Sequence, residues 1–347
     1  MGLLSSTSDF FALDIGTTAV RLVQLKGSGP TRSLVRYGTV AIEQGVSLSD
    51  SPAHQTQLLA AVKQLIQQTG VTTKNVAVGI PSNKMFTTVV DFQNLPEKEL
   101  ESAIMYQADQ FIPTAVADSK IDWQVIGPSP ADSSKVEILL ASVTKKYGEG
   151  RLNVLESIGL NVIAMEPDAF ALARALTPAN DADATLILDM GANATDLIIT
   201  AGGALRLARS IPTGGNTLVK AAEQNLSVDE KQAMQFVYKF GLVQDKLEGQ
   251  VYKALTSTVD TLVTEIEKSI KFFTTRYNKQ PVSKIIVTGR ASVLPEFPVY
   301  LVNKTNIAVE IGNAWLNATY PQANHNDLMS VANQYAVAAG LAEREES

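Results

Sequence analysis

Apolar residues in this chain fall into two rhythms, a period of two and a period near 3.6, and the switches between them mark out its elements. Residues 10–26 and 34–42 alternate Val, Leu, Phe and Ile with polar positions, as half-buried strands do. Gln55–Thr69 carries Leu58, Leu59, Val62, Leu65 and Ile66 at helical spacing, and Gly70 stands where a left-handed residue would stop a helix. Asn75–Pro81 is a buried strand ending at proline. From Met85 the spacing predicts strand Met85–Phe92, then a helix opening at Pro96 and running to Phe111, stopped by Pro113. Strands Ile121–Ile126 and Val136–Val143 flank a Gly/Pro/Ser hairpin tip, and helix Tyr147–Ser157 and strand Leu160–Ala164 follow. That block reads as an inserted β-α-β-β-α-β module. The Pro- and Asp-rich stretch Thr177–Ala184 separates it from a second half of similar design. There Ser210–Asn216 enters a helix from Thr217, and Ser227-Val228-Asp229-Glu230 is a capping box for another. Val251–Tyr277 is a long amphipathic helix with Leu255, Val259, Leu262, Ile266 and Ile270 on one stripe. Ser283–Thr288 is a strand and Asp327–Glu343 a terminal helix. Strands alternating with helices in both halves predict an α/β fold.

Two stretches repeat each other. Ala12–Thr18 and Ile187–Asn193 are each an apolar run ending in Asp-x-Gly, followed by small polar residues and a second apolar run. Ala19 and Ala194, Leu22 and Leu197, Gly27 and Gly202 keep the same offset, so this is a duplicated strand–turn–strand unit. One Asp-x-Gly is ordinary hairpin vocabulary. Two in register suggest a cleft with a phosphate-gripping turn on each wall. Glycine lets backbone approach a ligand closely, and successive turn N–H groups form an anion-binding concavity. An Asp closing the first strand supplies hard oxygens for a Mg²⁺, usually through its waters.

Other candidates keep two readings each. Gly214-Gly215-Asn216 is either a plain strand-to-helix turn or a third phosphate turn at a helix N-terminus. Glu265 and Lys268 share a helix face, as a surface ion pair or as a ribose and adenine bracket. Gly289-Arg290 follows a strand where an adenine could lie against backbone. Glu166, before Pro167, is either a helix-start acid or a carboxylate that orients a water for attack on a γ-phosphate.

Composition narrows the field. The 347 residues suit two domains of ordinary size, and 45% hydrophobic with 18% charged is a globular balance. A net charge of −6 with no long basic run argues against a nucleic-acid surface. With no cysteine and two histidines, thiolate chemistry is excluded and a His-ligated metal or Ser-His-Asp triad is disfavoured. No apolar run approaches the ~18 residues of a membrane span, so the expectation is a cytoplasmic chain without direct membrane insertion. Met1–Ser6 fits the short and common N-myristoylation pattern.

The ordered set of motifs resembles the actin-like ATPase superfamily, a ribonuclease H-like duplicated, two-lobed fold. The module at 84–163 resembles the small α+β domain, of SHS2 type, that marks the FtsA/PilM branch. Phe11–Val23, Leu95–Phe111, Glu166–Leu176, Ser210–Asn216, Glu265–Phe273 and Tyr335–Glu343 look like the PilM family of type IV pilus assembly. The resemblance implies a first subdomain at 10–83 plus 164–183, a second at 184–225 plus 283–345, and a helical nucleotide-capping subdomain at 226–282. It implies ATP with Mg²⁺ in the cleft, with Asp14 and Asp189 holding the metal through water. Gly16, Thr17, Thr18, Arg21, Gly191, Asn193, Gly214, Gly215 and Asn216 would surround the phosphates. Glu265, Lys268, Gly289 and Arg290 would surround ribose and adenine, and Glu166 would be the catalytic candidate, with hydrolysis slow. Arg21 stands where the family usually has Lys, and Arg290 where it has a second glycine. The implied partner is the N-terminal cytoplasmic tail of a PilN-like single-span inner-membrane protein, held in a groove between the first subdomain and the module. A homo-oligomer is compatible with this reading. Alternatives are an FtsA-like filament protein, against which the acidic Ala342–Ser347 end without an apolar stripe counts, and a small-molecule kinase of the same fold.

Overall fold

The computed structural model describes residues 9–27, 29, 31–178, 181–278 and 280–345. The N-terminal myristoylation pattern and the last two residues of the acidic end lie outside them. The first lobe begins with the antiparallel meander β1 (Phe11–Ile15), β2 (Ala19–Lys26) and β3 (Arg32–Ala41). Helix α1 (Pro52–Thr69) crosses over to β4 (Asn75–Ile80), which lies parallel to β1. The Ser51 hydroxyl accepts from the His54 N–H at its start, and Gly70, at φ 66°, ends it as the spacing predicts. Its buried face, Leu58, Val62 and Leu65, packs with Phe11, Leu13, Leu22 and Val78 of the sheet.

The inserted module follows: β5 (Met85–Gln93), α2 (Glu97–Gln107), β6 (Ser119–Pro128), β7 (Lys135–Thr144) and α3 (Lys145–Glu156). Its sheet runs β5-β7-β6, and Phe92, Leu100, Ile104, Ile138 and Leu140 form a core of its own. The last strand predicted for the module does not belong to it. β8 (Asn161–Pro167) pairs parallel with β4, covering the free edge of a strand that is buried along nearly its whole length. The module is thus β-α-β-β-α.

After α4 (Asp168–Leu176) the first design repeats. The meander β9 (Ala184–Met190), β10 (Thr195–Ala201) and β11 (Ala204–Ile211) leads through α5 (Gly215–Leu226), α6 (Glu230–Phe240) and α7 (Gln250–Arg276) to β12 (Val282–Thr288), parallel to β9. Helix α8 (Phe297–Thr305) then leads to β13 (Ala308–Ile311). The short β14 (Ala318–Thr319) returns to the edge of β3, and α9 (His325–Val331) and α10 (Ala336–Ala342) close the fold. The sheets read β14-β3-β2-β1-β4-β8 and β11-β10-β9-β12-β13, the same meander and crossover twice. Registers match as well: Asp14 faces Arg21 across the first hairpin as Asp189 faces Asp196 across the second.

The predicted helix Asp327–Glu343 is broken. Residues 332–335 leave the α-helical path because Asn333 is fastened to the turn after β12, its carbonyl accepting from the Gly289 N–H at 2.6 Å and its carboxamide donating to the Gly289 carbonyl at 2.9 Å. Beyond the break, α10 crosses α4 between the lobes. Both helices are lined with small residues there, and a Cβ on Gly340 would overlap the Ala171 carbonyl. No helix among the described residues is long and apolar enough to cross a membrane.

A second junction ties the module to the second lobe. Glu137 on β7 is fully buried, and its carboxylate accepts from Arg206 at 2.6 Å, Arg276 at 2.8 Å and the Tyr277 hydroxyl at 2.7 Å. Arg276 also reaches Asp91 at 2.8 Å. Burial and the Glu137 carboxylate push the Tyr277 phenol up to about 12. Deleting the carboxylate strands two guanidinium groups in a partly desolvated seam. Glu137→Ala is expected to lose about 3–5 kcal/mol in urea titration; a loss under about 1 kcal/mol would show that the seam contributes little.

Candidate functional site

The two hairpin turns face each other across one cavity of about 130 Å³. From the first lobe come Asp14, Gly16, Thr17, Thr18 and Arg21; from the second come Asp189, Gly191, Asn193, Gly289 and Arg290. The turns are built alike. In each, the glycine N–H closes the hairpin on the alanine carbonyl, Gly16 to Ala19 at 3.0 Å and Gly191 to Ala194 at 2.9 Å. Gly289 has φ 83°, and a side chain there would run into the Asp189 carboxylate and the Met190 backbone. At the rim the Gln44 side chain donates to the Asn193 side-chain oxygen Oδ1 at 3.1 Å, bridging the lobes, and the Asn216 side chain donates to the same atom at 2.8 Å. Small-molecule sites run to about 300–1,000 Å³, so the cavity is narrow for one.

The electrostatics are lopsided. Four carboxylates, Asp14, Asp168, Asp189 and Asp196, line the cavity, with Arg21 and Arg290 as its cations. Arg21 donates to Asp14 at 3.2 Å. Burial raises Asp14 all the same, with Arg21 offsetting part of the rise. Asp189 is pushed up to about 7 by burial and by Asp196 directly opposite it, and burial also raises Asp196. Asp168 is raised well above its ordinary value by burial, then by Asp14, Asp196, Asp189 and Glu166. Its Oδ1 is buried with no hydrogen-bond partner, beside Gly79, where any Cβ would collide with it. Burial and like-charge neighbours both disfavour the ionised form.

Several predicted residues lie elsewhere. Glu166 faces away from the cavity: Arg174 grips it at 2.7 and 3.2 Å, and together they line a groove beneath the module. Strand β8 sends that side chain to the outer face, while Asp168, at the start of α4, turns inward. Gly214, Gly215 and Asn216 do not line the cavity either. The Gly215 and Asn216 N–H groups donate to the Gly191 and Ala192 carbonyls at 3.0 and 2.8 Å, so this turn buttresses the second hairpin. Gly214 must be glycine because a Cβ there would meet the Ala192 carbonyl at 2.7 Å. Glu265 and Lys268 pair at 2.7 Å outside the cavity, and Arg209 of β11 joins them at 2.9 Å.

Sequence reasoning missed Asp168, Asp196, Gln44 and Asn333. The hairpin repeat held the signal for Asp196, which occupies the register position of Arg21. Nothing local points to Gln44 or Asn333, whose partners are distant in sequence.

Duplicated sheets enclosing an acidic interlobe cleft define an actin-like fold. The chain superposes on the structure of a PilM-PilN type IV pilus biogenesis complex with a TM-score of 0.81 at 21% identity, covering 96% of this chain and 97% of that one. It also matches MreB5 of Spiroplasma citri bound to AMPPNP (TM-score 0.55, 14% identity, 96% and 95% covered). A third match is the ethanolamine utilization protein EutJ from Carboxydothermus hydrogenoformans (0.54, 13%, 96% and 88%). Residues 12–346 match the family of type IV pilus assembly protein PilM, and the chain belongs to that family.

The raised carboxylates make stability depend on pH. Asp189 holds its proton more tightly folded, at about 7, than unfolded, near 3.8, so its contribution to folding is complete in acid and is lost as pH rises through 7. The melting temperature without added metal or nucleotide is expected to fall between about pH 4 and about pH 7 and then level off, and Asp189→Asn to flatten that fall. Parallel profiles for the two proteins in thermal scans would refute the assignment.

Proposed function

We propose that this protein binds ATP with Mg²⁺ between its lobes and holds the N-terminal cytoplasmic tail of a PilN-like inner-membrane protein against its inserted module. The observation that carries the first part is the convergence of both Asp-x-Gly hairpins on one cavity. The residues fit the group. A buried, unpartnered Asp168 oxygen and an excess of carboxylate over cation are what a hydrated divalent ion would relieve. Among the described residues no three ligating side chains converge to hold a metal ion, so Asp14 and Asp189 are assigned to contacts through water. When bound, Mg²⁺ would neutralise phosphate charge. The chain's own part is to orient that complex: Gly16, Thr17, Thr18, Gly191 and Asn193 present turn backbone and polar side chains to phosphates. Arg21 holds Asp14 in place at 3.2 Å, and the helical segment 226–282 caps the nucleotide. The MreB5 relative, bound to AMPPNP, supports a nucleotide in this fold.

The second part rests on a groove of about 460 Å³ between the first lobe and the module, lined by Ile80, Met85, Leu139, Ala141, Met165 and Phe170. Its chemistry suits an extended apolar segment, and the PilM-PilN relative supports a partner of that kind. In this reading the protein is a cytoplasmic component of the pilus assembly platform, peripheral to the inner membrane through its partner and serving twitching motility.

Asp14→Ala and Asp189→Ala are each expected to weaken Mg-ATP binding at least about a hundredfold, on the order of 3 kcal/mol, with an unchanged circular dichroism spectrum. Calorimetric titration checks this, and wild-type affinity in either variant counts against the cleft assignment. A synthetic peptide copying the partner's tail is expected to bind the full chain in a polarisation assay. No binding with or without Mg-ATP removes the groove assignment.

A further inference from the structure

Strand β6 is an outer strand of the module, hydrogen-bonded on one side by β7 and open along the other. The Trp123 N–H makes no use of β7; it donates to the Asp122 carboxylate at 2.8 Å. In an antiparallel ladder the outward groups recur at every second residue, so Ile121 and Val125 share that phase. Natural proteins blunt or cover such edges, and this one carries neither a bulge nor a proline between Lys120 and Val125. Each face of the edge opens on a basin with an apolar wall. Toward α2 lies a pocket of about 620 Å³ with Leu95, Leu100, Trp123 and Val136 in its wall and Glu97 and Glu101 at its rim. The opposite face is the groove of about 460 Å³ already described.

We infer that the partner tail adds to the module as a fourth β-strand along β6, an inference that rests on the groove assignment above. Strand addition satisfies the outward backbone groups of residues 121–125, the incoming carbonyl taking over the Trp123 N–H from Asp122. The period of two then sends successive side chains alternately into the α2 pocket and the groove. Both basins have apolar walls, Leu95, Leu100 and Val136 in one and Ile80, Leu139 and Phe170 in the other, so the segment that fits is extended and carries apolar side chains on both faces. Glu97, Glu101 and Asp122 border the edge, while the groove's cations are already paired, Arg174 with Glu166 and Lys120 with Glu149. The fitting segment therefore carries Lys or Arg beside its apolar run.

The test uses the full chain and synthetic tail peptides N-methylated at one backbone amide at a time. Strand addition predicts that methylation at every second residue weakens binding at least about tenfold while the intervening positions bind like the parent peptide. Val125→Pro removes an outward N–H without touching the β7 ladder and is expected to weaken binding to the same extent at an unchanged melting temperature. On binding, the Ile121, Trp123 and Val125 amides are expected to gain hydrogen-exchange protection. If the parent peptide binds but methylation shows no alternation and those amides exchange as before, strand addition is overturned and the groove assignment stands. If the parent peptide does not bind, the groove assignment falls, and this inference with it. Should Val125→Pro misfold, the methylated peptides on the unmodified chain decide the matter.

Discussion

Gly340 of α10 passes the Ala171 carbonyl of α4 so closely that no side-chain atom fits between them, and the relation of the two lobes depends on that contact. Helix α4 leaves the first sheet and packs on β9, β10 and β11; α10 leaves the second lobe and packs on β1, β2 and β4. Each lobe thus lends a helix to the other. Small residues of both helices, among them Ala169, Ala175, Ala336 and Ala339, lie in the shared core and let the helices approach closely, with Leu172, Leu176 and Leu341 filling the space around them. Arg174 donates to the Gly340 carbonyl at 2.6 Å and fastens the crossing from one side. With the crossing in place, the ends of β1 and β9 meet over one cavity.

That cavity holds charge at a cost. Asp189 and Asp196 oppose each other in a cross-strand pair, where like charges destabilise a sheet, and Arg21, which donates to its own hairpin partner Asp14, offsets only part of the charge on Asp189. In the folded chain protons relieve it: burial first, then Asp196 and Asp14, push Asp189 up to about 7. A divalent cation arriving with phosphates is the other way to relieve it. The same carboxylates therefore link folding, proton binding and the proposed ligand.

The module has two unlike edges. β5 lies against the second lobe, where the Thr87 hydroxyl meets the Ala208 carbonyl at 3.5 Å and Glu137 gathers Arg206, Arg276 and Tyr277 beneath the sheet. β6 is the other edge strand: Ile126 near its end packs toward Leu205 of the second lobe, while no strand pairs with it on its outer side. A buried ion-pair seam on one side and an unpaired edge on the other are what the proposed docking of a partner strand needs from a module held to the second lobe.

Local pattern was enough for much of this. Period-two and period-3.6 spacing located most strands and helices, though not β11, α8, β13 or β14, and the Asp14 and Asp189 repeat pointed to the duplicated fold and the cleft, because hairpin turns are decided by residues within a few positions of one another. The sequence also placed a small module after β4, though not its limit. β8 carries the same apolar alternation whichever sheet it joins, and only its pairing with β4 decides. Long-range partners likewise decided the break at Asn333, the loss of Glu166 to Arg174, and the use of the Gly215 and Asn216 amides on the second hairpin. Which face of a strand end looks into a cleft depends on twist and on what packs behind it, and those are properties of the assembled sheets rather than of any short run of residues.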